Sequence, residues 1–183
     1  MPTGRRLSAD DWTSAALAAL AEGGIAAVAV EPLAVRLGAT KGSFYWHFPN
    51  RDALLAATLE RWERIETDDV IARVQPEGDP RARLRALFVL ATGGSRSAEP
   101  ALQAAAAHPL VAPVLARVAR RRLAYLGAQF GALGMPPQAA RHRALLAYTA
   151  YLGHVQLVRT ASDLTSDDVA AYAEEVVAAL TAG

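Results

Sequence analysis

The amino-acid sequence predicts an all-α protein, and three observations lead to that fold class. Alanine accounts for 42 of the 183 residues, and alanine is the strongest helix former because its side chain is short and unbranched. Valine is the only common β-former, and its positions are scattered along the chain. Glycine and proline cluster at points that divide the chain into segments of helical length.

Capping residues and helix breakers predict where each helix begins and ends. Ser8 is placed to cap a first helix, which runs to about Glu22 and stops at the glycine pair that follows. The remaining helices are expected near 31–37, 41–47, 51–74, 80–93, 98–107, 110–133, 137–160 and 166–181. This order predicts a three-helix unit over residues 1–50, a connecting helix over 51–75, and a larger helical bundle over 76–183.

Composition and motifs exclude several classes of function. The chain has no cysteine, so disulfides and thiolate metal sites are excluded. The four histidines have no metal-ligand spacing, and neither a phosphate-binding loop nor a nucleophile elbow is present. We therefore expect no metal, no cofactor and no enzymatic activity. A helical enzyme with a site built from separated residues and a helical scaffold stay open as alternatives.

The expected location is the cytoplasm, away from any membrane. Residues 1–10 are polar and lack the apolar core of a signal peptide. The longest uncharged run, over residues 123–140, is interrupted by three glycines and two prolines.

Charge is nearly balanced, but its distribution is uneven. The formal net charge is +1, and 18 of the 19 basic residues are arginine, with Lys41 the sole lysine. Residues 1–50 carry four basic and four acidic residues. Average charge therefore gives no indication of a nucleic-acid partner. Any binding to DNA must come from a few well-placed contacts, and two copies of the chain would double them.

The most informative segment lies between residues 31 and 51. Two short predicted helices are separated by Gly38, Ala39 and Thr40, which is the geometry of a helix-turn-helix. Phe44 and Phe48 are four residues apart, so they share the face that packs inward.

The outward face of the second short helix has an unusual composition for a solvated surface. Lysine, threonine, tyrosine and histidine side chains donate to phosphate oxygens, while serine and tryptophan reach base edges or a thymine methyl group. A glycine allows close approach of the backbone. These features predict contact with double-stranded DNA through Thr40, Lys41, Gly42, Ser43, Tyr45, Trp46 and His47, helped by Arg51 and by an amino-terminal arm of Arg5 and Arg6. The alternative is a helical hairpin whose exposed aromatic residues pack on another domain.

This segment closely resembles the DNA-binding domain of the TetR/AcrR family of transcriptional regulators. The resemblance rests on ATKGSFYWHF over residues 39–48 and NRDAL over residues 50–54, and it extends over about residues 7–60. It implies phosphate contacts from Thr40, Lys41, Tyr45, His47 and Arg51. It implies contacts near the bases from Gly42, Ser43 and Trp46.

One position departs from the family pattern. Family members cap the second helix with threonine or serine, which also touches the DNA backbone, whereas Val28 and Ala29 occupy this neighbourhood here. A missing cap costs on the order of 1 kcal/mol. We therefore expect the second helix to depend more on packing by Val30 and Leu33.

The resemblance also implies a homodimeric, ligand-responsive regulator, most often a repressor, that binds an approximately palindromic operator. The last two helices would form the interface between protomers. Their apolar stripes could equally form intramolecular core, because periodicity does not distinguish the two. The candidate interface residues are Leu145, Leu152, Val155, Val169, Ala173, Val176 and Leu180.

The central helices would enclose a site for a small-molecule effector, again as the resemblance implies. A few polar groups on an otherwise aliphatic wall indicate a largely apolar ligand. Each candidate could instead be ordinary core. The candidates are Trp62, Phe88, Leu102, His108, Tyr125, Phe130, Tyr148 and Tyr151. The run Arg120–Arg122 is expected to be a solvated face, with contact to an anionic ligand or acidic partner as the alternative.

Overall fold

The structure is a computed structural model that describes residues 7–93, 97–160 and 166–182, and every regular element in these ranges is helical. The all-α prediction is confirmed. The helices are α1 (Ala9–Ala27), α2 (Val30–Arg36), α3 (Lys41–Tyr45), α4 (Arg51–Glu63), α5 (Asp69–Val74), α6 (Pro80–Thr92), α7 (Glu99–Ala104), α8 (Val111–Ala132), α9 (Pro137–Leu157) and α10 (Ser166–Thr181).

The first helix starts at its predicted cap. The Ser8 hydroxyl accepts from the Asp11 backbone N–H at 3.2 Å, and the Asp11 carboxylate accepts from the Ser8 backbone N–H at 2.8 Å. Gly23 and Gly24 leave the helical conformation, with φ of +70° at Gly24. The predicted break is therefore present, and one further helical turn follows it to Ala27.

The predicted long helix over residues 51–74 is interrupted. A π-helical turn, Arg64–Asp68, lies between α4 and α5. Within it, the Glu66 carbonyl accepts from the Arg122 guanidinium at 3.1 Å, and the Thr67 hydroxyl accepts from the same group at 3.0 Å. A side chain that bonds to the backbone of a helix commonly accompanies such a wide turn.

Two hydrophobic cores hold the helices together. The first is built on α1–α4 around Trp12, Phe44 and Trp62, and it continues into α7 and the first half of α8 through Leu102 and Val118. The second core packs α6, the second half of α8, α9 and α10. Its members include Leu84, Phe88, Phe130, Tyr148 and Leu180. The amino-terminal helices are thus attached to the bundle through a continuous apolar interior.

A buried ion pair joins α7 to α8. Arg122 on α8 donates to the Glu99 carboxylate on α7 at 2.6 Å, and the Glu99 side chain is completely buried. The guanidinium of Arg122 lies 5.5 Å from the Trp62 ring centre. The expectation of a solvated arginine run is therefore wrong for Arg122, because Glu99 compensates its charge inside the protein.

In the described part of the chain, no helix is long and apolar enough to cross a membrane. No group of three or more histidine, aspartate or glutamate side chains is arranged to hold a metal ion within the same residues.

We predict that Glu99→Ala destabilises the protein by about 3–5 kcal/mol, because it leaves the Arg122 charge buried without a partner. Urea denaturation at fixed protein concentration measures this loss. The matched control is Glu174→Ala, which removes the solvent-exposed pair with Arg85 and should cost less than about 1 kcal/mol. Equal losses for the two variants would contradict a structural role of the buried pair.

Candidate nucleic-acid interface and ligand cavity

The turn between α2 and α3 is built by Gly38 and Thr40. Gly38 has φ of +62°, a conformation that side chains with a Cβ rarely adopt. Thr40 then caps α3, since its hydroxyl accepts from the Ser43 backbone N–H at 3.2 Å. Together these two residues set the direction in which the short helix leaves α2.

Helix α3 is held in place by Phe44. Its side chain is fully buried, with the ring centre 5.4 Å from Trp12 of α1 in an edge-on arrangement. Phe48 packs on the other side, with ring centres 5.8 Å apart. Because five residues are too few for a stable isolated helix, this packing is what makes α3 a rigid element.

The opposite face of α3 carries large side chains in contact with solvent. Trp46 is 82% exposed and Tyr45 is 54% exposed, and Lys41 and Gly42 are exposed beside them. Exposed aromatic side chains on a well-packed helix are typical of a binding surface. Ser43 and His47 are half-buried at its edge.

Val35 is a surface residue that the sequence-based candidates did not include. It lies on α2 and is 81% exposed, while its neighbours Leu33 and Ala34 are buried. Helical spacing could have identified Val35 as a surface residue. Residues 33, 34 and 37 occupy the inner face of α2, which leaves Val35 on the outer face. An apolar side chain next to α3 is suited to contact with a thymine methyl group.

Arg51 has a structural role in this chain. Its guanidinium donates at 2.6 Å to the carbonyl of Ile25 and at 2.6 Å to that of Val28. These carbonyls lie where the backbone turns from α1 to α2. The phosphate contact implied for Arg51 stays a prediction, as do those of Arg5 and Arg6, which lie outside the described residues.

The expected lack of a cap on α2 is confirmed. The backbone of Ala29 takes the capping position, and none of the described side chains hydrogen-bonds to the start of the helix there. Leu33 is buried in the first core and Val30 packs against it. Packing thus stabilises this helix start in place of a hydroxyl cap.

The cations of the amino-terminal helices are already paired. Between residues 7 and 50 the basic side chains are Arg36 and Lys41. Lys41 Nζ lies 2.6 Å from Glu31 Oε1, and Arg36 makes a bidentate pair with Glu22 at 2.9 Å. The hydrogen bond from Lys41 lowers the pKa of Glu31 below its ordinary value. A phosphate approaching Lys41 therefore competes with a carboxylate.

A separate cavity of about 540 Å³ lies among α5, the π-helical turn, α6, α8 and α9. Most of its wall is aliphatic or aromatic. Its lining residues are Ile65, Glu66, Thr67, Val70, Ile71, Arg73, Leu87, Phe88, Leu90, Ala91, Gly93, Ser97, Arg122, Tyr125, Leu126, Ala147, Tyr148 and Tyr151. Cavities of this size and composition accommodate small ligands.

Four of the eight candidate ligand residues line this cavity, namely Phe88, Tyr125, Tyr148 and Tyr151. The other four lie elsewhere. Trp62 and Leu102 are buried in the first core, and Phe130 is buried in the second. His108 accepts the Leu110 backbone N–H in the connection from α7 to α8. Periodicity does not separate cavity wall from core, because both require apolar side chains on inward faces.

A polar cluster lies at one part of the cavity wall, formed by Glu66, Ser97, Glu99, Arg122 and Tyr151. We call it the Glu66 cluster. The Glu66 carboxylate accepts from the Ser97 hydroxyl at 2.7 Å and from a backbone N–H at 3.4 Å. Burial raises the pKa of Glu66 above its ordinary value, and the nearby Glu99 carboxylate adds to this effect.

Tyr125 provides a second polar group on the wall. Its hydroxyl is shielded from solvent and has no hydrogen-bond partner among the described residues. Burial raises its pKa, so the hydroxyl is protonated at neutral pH and available as a donor.

Several predicted interface residues are packed within their own chain. Val155, Ala173 and Leu180 are buried, and Leu152 and Val176 are partly buried in the second core. Most of the predicted interface residues therefore form core within one chain, which is the alternative that the sequence left open.

Other apolar residues of α9 remain on the surface. Leu145 is exposed, whereas the side chain of Val169 lies outside the described residues. A continuous exposed stripe follows one side of α9 at helical spacing. Its members are Leu146, Thr149, Gly153 and Leu157.

The sequence of the amino-terminal helices matches a known family. Residues 13–58 match the family described as bacterial regulatory proteins, tetR family. The amino-terminal helices of this chain therefore form a tetR-family domain, and the family resemblance in this segment of the sequence is confirmed. No curated protein is a significant match to the chain as a whole.

Solved structures of similar fold cover nearly the whole chain. A transcriptional regulator from Rhodococcus sp. Rha1 has a TM-score of 0.80 at 22% identity, covering 95% of this chain and 96% of its own. A putative transcriptional regulator from Saccharomonospora viridis, in complex with choline, has a TM-score of 0.80 at 17% identity, covering 93% and 95%. FadR from Bacillus subtilis, in complex with stearoyl-CoA, has a TM-score of 0.74 at 15% identity, covering 96% and 99%. The helical bundle that follows the tetR-family helices is thus shared at the level of the fold.

We predict that Glu31→Gln increases the affinity of this protein for DNA roughly two- to fivefold at low salt, because Lys41 then gives up no ion pair when it binds a phosphate. Fluorescence anisotropy with a labelled duplex measures the change. Glu60→Gln, which removes an equal charge from exposed α4 surface, is the control and should leave affinity nearly constant. An equal gain in DNA affinity for both variants would show that the effect comes from the change in net charge and not from the Lys41–Glu31 pair.

Proposed function

We propose that this protein is a cytoplasmic repressor that binds an approximately palindromic operator as a homodimer and is released by a small, largely apolar effector. In this proposal residues 1–50 bind DNA, and residues 76–183 dimerise and bind the effector. Residues 51–75 connect these two parts and also contribute to the cavity wall, through Glu66 among others. The exposed face of α3, held rigid by buried Phe44, is the observation that carries the DNA-binding part.

The proposed contacts divide into two kinds. Thr40, Lys41, Tyr45 and His47 position the protein on phosphates, while Ser43 and Trp46 reach base edges. Gly42 lets the α3 backbone approach the duplex, because it carries no Cβ. Arg5, Arg6 and Arg51 complete the proposed phosphate contacts.

Dimerisation follows from the small number of contacts that one copy provides. Two copies supply two half-sites, about 34–36 Å apart for adjacent turns of the duplex. The exposed stripe of α9, with Leu146 and Leu157, and the neighbouring Leu145 are apolar surface that a second copy would cover.

The cavity beside the π-helical turn is the proposed effector site. Release from the operator by a factor of one hundred requires about 2.7 kcal/mol of coupling, which is within the usual range between two sites. The choline and stearoyl-CoA in the two ligand-bound neighbours differ in size and charge, so the fold does not determine the effector class. The residues of this chain must determine it.

The DNA-binding proposal predicts that Tyr45→Ala and Lys41→Ala each weaken operator binding about tenfold or more without unfolding the protein. The operator comes first, from selection of bound sites in a random DNA pool. Gel shifts across a salt series then compare the variants, with circular dichroism as the check on folding. Normal affinity in both variants would contradict the role of α3.

Trp46→Ala serves as the companion variant in that assay. It should change the preferred sequence, whereas loss of a phosphate contact weakens all sequences alike. A scaffold or a helical enzyme would show no steep dependence of DNA affinity on salt.

The dimer proposal predicts that Leu146→Glu shifts the protein to a monomer, because it places a charge in an apolar interface. Sedimentation velocity over a concentration series measures the state. Val89→Glu, at an exposed apolar position of α6, is the control and should keep the dimer. If the Leu146→Glu protein stays dimeric at micromolar concentration, the interface does not include this face of α9.

A further inference from the structure

The Glu66 cluster contains an imbalance of charge that bears on the effector. Among the described residues of the cluster there are two carboxylates, Glu66 and Glu99, and one guanidinium, Arg122. A buried charge without a compensating partner is costly. Burial favours the protonated form of Glu66, and a ligand that brings a positive charge to this part of the wall would stabilise the ionised form instead.

The charge of Arg122 is already committed within the protein. It pairs with Glu99 at 2.6 Å and also donates to Thr67 and to the Glu66 carbonyl. Its guanidinium lies 5.4 Å from the Tyr151 ring centre, an arrangement in which the ring itself stabilises the cation. An anionic ligand would have to displace Glu99 to gain this charge.

The carboxylate of Glu66 has capacity left for a ligand. From the described residues it receives one short hydrogen bond, from Ser97 at 2.7 Å, and one long one, from the Ala98 N–H at 3.4 Å. An ionised carboxylate accepts about four hydrogen bonds. Glu66 is also one of the residues that line the cavity, next to the space that a ligand would fill.

Arg73, the other basic residue in the described part of the lining, is exposed to solvent. Its charge is screened by water and salt, whereas that of the largely buried Glu66 is screened much less. The electrostatic preference of the inner wall is therefore set by Glu66.

We propose that the effector is an amphiphilic amine, whose protonated amino group donates to the Glu66 carboxylate while its apolar body lies along Val70, Leu87 and Phe88. This inference rests on the proposed role of the cavity as the effector site and adds the charge of the ligand to it. Hydrogen bonds to charged groups are stronger than neutral ones, and they are strongest where water is excluded.

The test uses three probes of equal chain length, octylamine, 1-octanol and octanoate, titrated into the full-length protein by calorimetry in the absence of DNA. We expect octylamine to bind about tenfold tighter than octanol, and octanoate to bind weakest. In Glu66→Gln the advantage of octylamine should fall to within about twofold, while octanol binding persists and reports that the variant is folded. Glu77→Gln, at an exposed carboxylate outside the lining, should retain the advantage.

Three results would overturn the proposal. If octanoate binds most tightly, the cavity prefers an anionic ligand, which Arg73 or Arg122 would hold. An unchanged preference for octylamine in Glu66→Gln would show that the amine binds elsewhere. Failure of all three probes to bind would show that the cavity takes no amphiphile of this kind. These titrations contain no DNA and therefore test the ligand site by itself. If the amine binds but does not release the protein from its operator in a separate gel shift, the result would count against the repressor proposal alone.

Discussion

The ion pair between Arg122 and Glu99 is the interaction on which the arrangement of the helices depends. Its guanidinium touches α7 through Glu99, α4 through the Trp62 ring, and the π-helical turn through Glu66 and Thr67. One side chain of α8 therefore joins the segment that follows the DNA-binding helices to the bundle. The pair is tolerable in the interior because each charge has several partners.

The same contacts place the cavity next to the backbone that leads to the DNA-binding helices. Glu66 offers its carboxylate to the cavity and its carbonyl to Arg122, so ligand and arginine meet at one residue of the wide turn. Helix α4 runs from this turn to Arg51, which holds the backbone between α1 and α2 through two short hydrogen bonds. Helix α4 is thus the connection between the wide turn and the amino-terminal helices, and a ligand at Glu66 would act on them through this helix.

Local features made much of the fold predictable from the sequence. Ser8 and Thr40 cap helices through neighbours three residues away, and Gly38 is required by its positive φ. The wide turn and the burial of Arg122 were not predictable, because the partners of that arginine lie 23 to 56 residues away. Likewise, α9 is apolar on several sides, so only packing distinguishes buried Tyr148 from exposed Leu146.

The near neutrality of the amino-terminal helices has a physical meaning once the ion pairs are known. Lys41 and Arg36 each face a glutamate, so binding to a phosphate exchanges one pairing for another and gains little free energy. Non-specific affinity for DNA depends on unpaired cations and released counterions, so these two ion pairs would lower it. The exposed Tyr45 and Trp46 carry no such opposing cost, because these neutral side chains give up no ion pair on binding. In the proposed mode of binding, discrimination between DNA sequences thus falls to neutral side chains on a helix fixed by one buried phenylalanine.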